Sequence, residues 1–228
     1  MPLEIRQRVQ ALLEIIRETA ISVGKTADQI KLIAASKAQP PEKMKEAFEA
    51  GIDCFGENYV QELLHKWQII ETWPAKPSFE FIGHLQTNKV KQIIDKVSAI
   101  QTVDSLKLYD RIRKEVRKRE RRISLLVEVN IGKEPSKSGV YPEGVMDFVK
   151  SLPEDPWVTI NGLMTIPPFS NDPESARPYF KKMKALQDSL GLKELSMGMT
   201  HDFKIAIEEG ATQIRIGEAI FGPRDPRA

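Results

Sequence analysis

Residues 30–37 read IKLIAASK, a short run of apolar residues that ends on a lysine. Successive side chains of an extended strand point to opposite faces, so Ile33, Ala35 and Lys37 would share one face of this segment. The small side chain of Ala35 leaves room beside the lysine on that face. Taken alone, Lys37 could equally be a hydrated loop residue just past a strand, so the rest of the chain has to decide between the two interpretations.

Further segments of the same kind follow, and they alternate regularly with helical patterns. We predict strands at Ile30–Lys37, Cys54–Glu57, Phe79–His84, Ala99–Asp104, Ser124–Asn130, Thr159–Thr165, Glu194–Gly198 and Gln213–Gly217. We predict helices between them at Pro41–Ala50, Tyr59–Trp73, Thr87–Asp95, Ser105–Arg121, Tyr141–Leu152, Pro173–Leu190 and Asp202–Glu209. This alternation favours an α/β fold with a (β/α)8 barrel of the TIM type, and a doubly wound open sheet is the alternative.

An additional amphipathic helix precedes the repeating part of the chain. Apolar residues recur at three- and four-residue spacing from Ile5 to Val23, and Gly24 follows them. The proline-containing stretches farther on have the length of ordinary connections rather than of linkers between domains. We therefore predict one domain over residues 1–228, a single barrel with an extra N-terminal helix.

Composition and charge argue against several classes of partner. Lys and Arg number 34 against 32 Asp and Glu, and the formal net charge of +2 gives no support to nucleic acid or an anionic membrane as partner. The basic segment 111–122 is interrupted by Glu115 and Glu120, which is typical of a solvated helix face. The single Cys54 cannot form an internal disulfide, and the three histidines suggest no metal site. Without a signal peptide or an apolar membrane span in the sequence, we expect a cytoplasmic protein.

Polar residues stand at the ends of the predicted strands, where barrels of this kind carry their chemistry. In chain order these ends are Lys37, Glu57 with Asn58, His84, Asp104, Asn130, Thr165, Ser196 to Gly198, and Gly217 with Glu218. In the eighth strand Ile214 and Ile216 share one face, so Arg215 would point into the barrel. A buried guanidinium needs an acceptor, and Glu128 could supply it as a purely structural ion pair.

The loops after the seventh and eighth strands have the composition of a phosphate site. They read SMGMTHD at 196–202 and RIGEAIFG at 215–222. Barrels often bind a phosphate between these two loops and a short extra helix. The hydroxyls of Ser196 and Thr200 can donate hydrogen bonds, and backbone amides near Gly217 can point at an anion.

A lysine, an inward arginine and a phosphate cradle would then all face one cavity. Together Lys37, Arg215 and the two loops indicate a phosphorylated carbonyl ligand. The lysine amine would attack the carbonyl to form an imine, a reaction that a partly desolvated lysine favours.

Several motifs identify a family. They are LIAASK at 32–37, FGENYVQE at 55–62, FIGHLQTNK at 81–89, GLMT at 162–165, SMGM at 196–199 and RIG at 215–217. From about residue 3 to residue 224 the chain resembles the pyridoxal phosphate homeostasis proteins, relatives of the alanine racemase barrel domain.

The resemblance implies a fold-type III barrel that binds pyridoxal 5′-phosphate (PLP). It implies that Lys37 carries PLP as a Schiff base and that Arg215 lies beside the pyridine nitrogen, which makes the ring a weaker electron sink. It also implies a set of further contacts, with Ser196, Thr200, Gly217 and Glu218 at the phosphate and Asn58 and His84 near the ring. Thr200 stands where the family motif usually has serine, and it keeps the hydroxyl.

Three functions are candidates for such a site. The resemblance implies a non-enzymatic PLP carrier in intracellular PLP homeostasis, which acts indirectly on amino-acid and keto-acid metabolism and has PLP-dependent apo-enzymes as candidate recipients. A PLP-dependent amino-acid racemase is the alternative, although Lys37 serves only one face of a substrate carbanion. A phosphosugar aldolase or isomerase fits the position of the lysine and Arg215 poorly. Because racemases add a C-terminal domain that builds their dimeric site, we expect this chain to be a monomer.

Overall fold

The computed structural model describes residues 4–223, which contain a closed parallel barrel with the strands in sequence order. The strands are β1 Lys31–Ala35, β2 Cys54–Glu57, β3 Ser78–Phe81, β4 Ala99–Val103, β5 Ile123–Val129, β6 Val158–Thr165, β7 Glu194–Ser196 and β8 Gln213–Ile216. Strand β8 pairs with β1 and closes the sheet. The prediction of a TIM-type barrel is confirmed, and the alternative of a doubly wound open sheet is wrong.

Helices surround the barrel in the described part of the chain. They are α1 Ile5–Ser22, α2 Pro41–Glu49, α3 Val60–Ile70, α4 Val90–Ile93, α5 Leu106–Arg117, α6 Val145–Ser151, α7 Arg177–Leu190, α8 Phe203–Glu208 and α9 Glu218–Phe221. The predicted opening helix is present as α1, which buries a stripe that includes Val9, Leu12 and Ile16. It packs against α2, α8 and α9, so it covers the barrel where the helix after β8 is very short.

The alternation of β8 occurs as predicted. Ile214 and Ile216 are fully buried in the apolar layer between the sheet and the helices. Arg215, between them, points into the barrel and is 4% exposed. The register places it next to Ile33 of β1.

Strands β1 and β3 end earlier than predicted. Strand β1 stops at Ala35, and Lys37 lies in a turn whose next residue, Ala38, has φ 58°. Strand β3 stops at Phe81, before Gly83 and His84. A Cβ atom at Gly83 would lie 2.2 Å from the backbone oxygen of Asn58, so the chain leaves the sheet here to pack against the loop after β2. Both polar residues therefore belong to loops rather than to strand ends.

The basic segment after residue 110 forms a network of ion pairs on the outer surface. Arg111 and Arg119 both pair with Glu115, and Arg117 lies 2.5 Å from Asp155. The arginines are partly exposed and their acidic partners are buried, so these positive charges are paired within the protein.

Between residues 4 and 223, none of the helices combines the length and the apolar character that crossing a bilayer requires. In the same range no group of three or more His, Cys, Asp or Glu side chains is arranged to hold a metal ion.

Candidate functional site

A cavity of about 260 Å³ opens at the carboxyl ends of the strands, the end of the barrel at which enzymes of this fold place their chemistry. Most of the residues predicted for the site line it: Lys37, Asn58, Thr200, Arg215, Gly217 and Glu218. Ligand pockets usually measure about 300 to 1,000 Å³. The cavity therefore suits a ligand built on one substituted ring better than a dinucleotide.

Buried polar groups hold the backbone just before Lys37. The Nζ atom of Lys66 donates a hydrogen bond to the backbone oxygen of Ser36 at 2.5 Å and lies 2.6 Å from Oε1 of Glu57. The Ser36 hydroxyl also donates to Oε1 of Glu57, at 2.7 Å. Burial raises the pKa of Glu57, and the nearby Lys66 opposes that effect.

The same cluster holds the backbone just after Lys37. The amide of Ala38 donates to Oε1 of Glu62 at 2.6 Å, and this oxygen also lies 2.6 Å from Nζ of Lys66. Ala38 has a positive φ, a conformation that costs a non-glycine residue about 1 kcal/mol and needs support from its surroundings. Because both neighbours of Lys37 are fixed, the lysine projects from a defined turn.

Arg215 is a buried cation held by neutral acceptors. Its Nη1 atom donates to the hydroxyl of Ser196 at 2.5 Å, and Nη2 donates to the backbone oxygen of Thr165 at 2.8 Å. Burial lowers its pKa to about 10, while the charges of Asp202 and Glu128 act in the opposite direction.

The prediction of a structural ion pair between Arg215 and Glu128 is wrong. In the described part of the chain no salt bridge joins the two residues, and the Oε2 atom of Glu128 is buried without a hydrogen-bond partner. Glu128 influences Arg215 through its charge alone. Arg215 is thus left with one side facing the cavity that it lines.

The loop after β7 presents Thr200 to the cavity. Gly198 has φ 94°, and a Cβ atom there would lie 2.5 Å from the Cβ of Ala206, so only glycine allows this close approach to α8. The Oδ1 atom of Asp202 accepts a hydrogen bond from the amide of Met199 at 2.6 Å and closes the loop. Asp202 stands at the cap position of α8, but its side chain makes no capping hydrogen bond.

Asn58 brings an unsatisfied polar atom to the site. It lines the cavity, and its Oδ1 atom is buried without a hydrogen-bond partner. An acceptor left in this state costs about 1 to 3 kcal/mol, a penalty that a hydrogen-bonding ligand removes. A polar group placed beside Asn58 would satisfy this acceptor.

Two residues predicted for the site lie elsewhere. Ser196 is fully buried below Arg215, and its hydroxyl donates to Oε1 of Gln101 at 2.6 Å instead of reaching the cavity. His84 is exposed in a separate surface groove, and its Nδ1 atom is 3.3 Å from the Ser138 hydroxyl.

Sequence patterns missed several walls of the cavity. Ile82, Ile166, Met199 and Phe169 line it, and Phe169 is 83% exposed. They come from loops, whose course the alternation of strands and helices does not specify. His201, from the loop after β7, also lines the cavity.

Comparisons of sequence place these features in a family. The profile of the family described as "Alanine racemase, N-terminal domain" matches residues 9–225. A pyridoxal phosphate homeostasis protein of Aquifex aeolicus (strain VF5) is 42% identical over 224 residues, which are 96% of this chain and 97% of that protein. The protein of the same name from Bos taurus is 38% identical over 216 residues, 87% of this chain and 79% of its own.

Solved structures agree with the sequence matches. PipY of Synechococcus elongatus PCC7942, solved with PLP bound, is 31% identical with a TM-score of 0.75, covering 91% of this chain and 100% of that chain. Alanine racemase of Clostridium difficile 630 is 15% identical and shares the fold, with a TM-score of 0.67 over 96% of this chain and 57% of its own. This chain thus belongs to the pyridoxal phosphate homeostasis protein family, and its barrel is that of the alanine racemase N-terminal domain.

Proposed function

We propose that this protein binds PLP in the cavity at the carboxyl end of the barrel and acts in intracellular PLP homeostasis, without robust catalysis of its own. The observation that carries the proposal is the convergence of Lys37, Arg215 and Thr200 on one small cavity. The PLP bound to PipY and the names of the relatives support the choice of ligand. An effect on amino-acid and keto-acid metabolism would follow indirectly, from the supply of the cofactor.

Lys37 is the residue proposed to hold PLP covalently. Its amine would condense with the aldehyde of PLP, forming a C=N bond and releasing the aldehyde oxygen as water. The reaction needs a lysine at a fixed position, which the contacts of Ser36 and Ala38 with the buried cluster provide.

Arg215 is proposed to face the pyridine nitrogen. A guanidinium has only donors and stays charged at neutral pH, so it holds that nitrogen without a proton. PLP supplies electron-withdrawing chemistry when its ring nitrogen is protonated, and Arg215 would weaken that property. The arginine therefore favours retention of the cofactor over turnover.

The phosphate is assigned to Thr200 and to the backbone at Gly217 and Glu218. A hydroxyl and backbone amides are the usual donors to a phosphate in this part of a barrel. The unsatisfied Oδ1 atom of Asn58 is proposed to meet a polar group of the ring. This proposal gives Ser196 and His84 no direct contact with PLP, because neither residue lines the cavity.

The binding test uses the purified protein with added PLP. We expect a visible absorbance band, and borohydride should convert the bound PLP into a stable adduct that mass spectrometry locates on Lys37. Lys37→Ala should abolish band and adduct, whereas Lys43→Ala, at an exposed lysine on α2, should keep both. A protein that takes up no PLP would contradict the proposal, and an adduct that persists in Lys37→Ala would contradict its covalent part.

The racemase alternative gains one observation from the structure, because His201 adds an imidazole to the cavity that Lys37 lines. Incubation of the PLP-loaded protein with single enantiomers of amino acids separates the two functions. A carrier should leave optical purity unchanged relative to free PLP. Racemisation well above that background, and its loss in His201→Ala, would establish the enzyme instead.

Two further parts of the proposal concern partners. PLP-dependent apo-enzymes are the proposed recipients of the cofactor, and their reactivation by the loaded protein faster than by the same amount of free PLP would support direct transfer. We also propose a monomer, which light scattering after gel filtration tests.

A further inference from the structure

A line of polar side chains crosses the barrel interior beneath the cavity. Glu80 of β3, Gln101 of β4, Ser196 of β7 and Gln213 of β8 are at most 3% exposed. TIM-type barrels usually fill this space with branched aliphatic side chains. Buried polar groups are costly unless all of them are hydrogen-bonded, so their presence here points to a role beyond filling the core.

The side chains form a continuous chain of hydrogen bonds that starts at Arg215. Its Nη1 atom donates to Ser196 Oγ at 2.5 Å, and that hydroxyl donates to Oε1 of Gln101 at 2.6 Å. The Nε2 atom of Gln101 donates to Oε2 of Glu80 at 2.5 Å. Lys31 donates to the other oxygen of Glu80, and its side chain is 41% exposed at the opposite end of the barrel.

The charge of Glu80 fixes the orientation of Gln101 and, through it, the direction in which the Ser196 hydroxyl donates. An ionised carboxylate only accepts hydrogen bonds, so Gln101 must turn its NH2 group toward Glu80 and its oxygen toward Ser196. The Ser196 hydroxyl must then donate to Gln101, which leaves its lone pairs to accept from Arg215. Gln213 reinforces this orientation, because its Oε1 atom accepts from the same NH2 group at 2.8 Å.

We infer that Glu80, acting through Gln101 and Ser196, is a positioning residue that fixes the orientation of the Arg215 guanidinium at the cavity. Ser196 and the backbone oxygen of Thr165 hold its two terminal nitrogens, so the plane of the guanidinium cannot turn. The consequence for PLP rests on the proposed function, whereas the orientation of Arg215 is a property of the protein without ligand.

The substitution Glu80→Gln tests the direction of the chain. Lys31 donates three hydrogen bonds and accepts none, so it would bind the oxygen of the new amide and leave the NH2 group facing Gln101. Gln101 would then have to reverse and donate to Ser196. The Ser196 hydroxyl would accept from both Gln101 and Arg215 and would lose the acceptor for its own proton, which weakens its hold on Arg215. In Lys31→Met with Glu80→Gln, the new amide is free to present its oxygen to Gln101, and the original direction should return.

The first measurement is nuclear magnetic resonance of the arginine side chains in the protein without PLP. In the wild type, restricted rotation should give Arg215 separate signals for its two terminal nitrogens, assigned by their loss in Arg215→Lys. Glu80→Gln should merge them, and the double variant with Lys31→Met should restore them. Glu115→Gln, which removes a carboxylate that is 4% exposed on α5, is the control and should leave them separate. Unchanged Arg215 signals in Glu80→Gln would overturn the inference.

The second measurement is PLP affinity, followed by the visible band. Glu80→Gln and Ser196→Ala should each weaken binding by about tenfold, the usual effect of losing a hydrogen bond to a charged group. The variant that combines Glu80→Gln with Ser196→Ala should bind PLP no more weakly than either single variant, because both substitutions break the same chain of hydrogen bonds. Independent, additive losses would overturn the coupling. Absence of PLP binding in the wild type would refute the proposed function, and the resonance experiment would still decide the orientation of Arg215.

Discussion

The Nζ atom of Lys66 lies 2.6 Å from Oε1 of Glu57, and both side chains are buried directly behind the turn that carries Lys37. A buried ion pair contributes little net stability, because the cost of desolvating both charges offsets their attraction. Its value here is geometric, since the same two residues bind Ser36 and, through Glu62, Ala38. The position of the lysine therefore depends on a pair of charges that never reaches the cavity.

Lys66→Met should destabilise the protein strongly, because it leaves Glu57 buried without its counter-charge. We expect a loss of about 3 to 5 kcal/mol in the free energy of unfolding, measured by urea denaturation. Arg17→Met, which breaks the half-exposed pair with Glu14 on α1, is the control and should change stability far less, because solvent screens an exposed pair. A loss of stability in Lys66→Met as small as that in Arg17→Met would show that the Lys66 cluster is not structurally important.

Gly83→Ala should destabilise the protein by crowding the backbone at Asn58. The added Cβ would lie 2.2 Å from the Asn58 oxygen, and backbone atoms cannot move aside as a flexible side chain does. We expect a loss of about 1 to 3 kcal/mol by urea denaturation, together with weaker PLP binding. Gly144→Ala is the matched control, since its Cβ would meet Val140 at an ordinary 3.6 Å. Equal stability of the two variants would contradict the close packing at Gly83.

The success of the sequence prediction depended on how local each signal is. The alternation in β8 placed Arg215 inside the barrel because the two faces of a strand are set by geometry within a few residues. The ends of β1 and β3 were misjudged because the chain leaves the sheet for contacts with a distant loop, such as Gly83 against Asn58. Such contacts have no signature in the local pattern.

The buried partners of the site show the same limit. Glu62 and Lys66 have the four-residue spacing of a helical ion pair, so their contact with each other could have been read from the sequence. Their contacts with Ser36 and Ala38 could not, because those join α3 to the loop after β1. The chain from Arg215 to Glu80 likewise joins strands far apart in sequence, and only the closure of the barrel brings them together.

Phe169→Ala should accelerate release of PLP without affecting stability. The side chain is 83% exposed, so its removal should change the free energy of unfolding by less than about 0.5 kcal/mol. It also lines the cavity, so its loss should open the site to water and shorten the lifetime of bound PLP, measured by transfer to an excess of a PLP scavenger. Tyr59→Ala removes another exposed aromatic residue, one that does not line the cavity, and should release PLP at the wild-type rate. Equal rates in both variants would remove Phe169 from the site.

Glu128 should make the stability of the protein without PLP depend on pH. Burial, together with the charge of Asp104, raises the pKa of Glu128 from 4.5 to about 7, and Arg215 only partly opposes this. Below pH 4.5 the carboxyl is protonated in the folded and unfolded chains alike, so it has no effect there. Between pH 4.5 and 7 the unfolded chain releases the proton while the folded protein keeps it, so stability falls as the pH rises. Above pH 7 the full cost of the buried charge is present.

Glu128→Gln removes this cost, because an amide does not ionise. The variant should match the wild type near pH 4.5 and exceed it by about 1 to 3 kcal/mol at pH 8, measured by urea denaturation across that range. Glu174→Gln is the control: a hydrogen bond from Arg177 lowers the pKa of Glu174, so this carboxyl changes stability with pH only near and below 4.5. Its difference from the wild type should stay nearly constant above that pH. A difference between Glu128→Gln and the wild type that stays constant from pH 4.5 to 8 would mean that Glu128 ionises as readily in the barrel as in the unfolded chain.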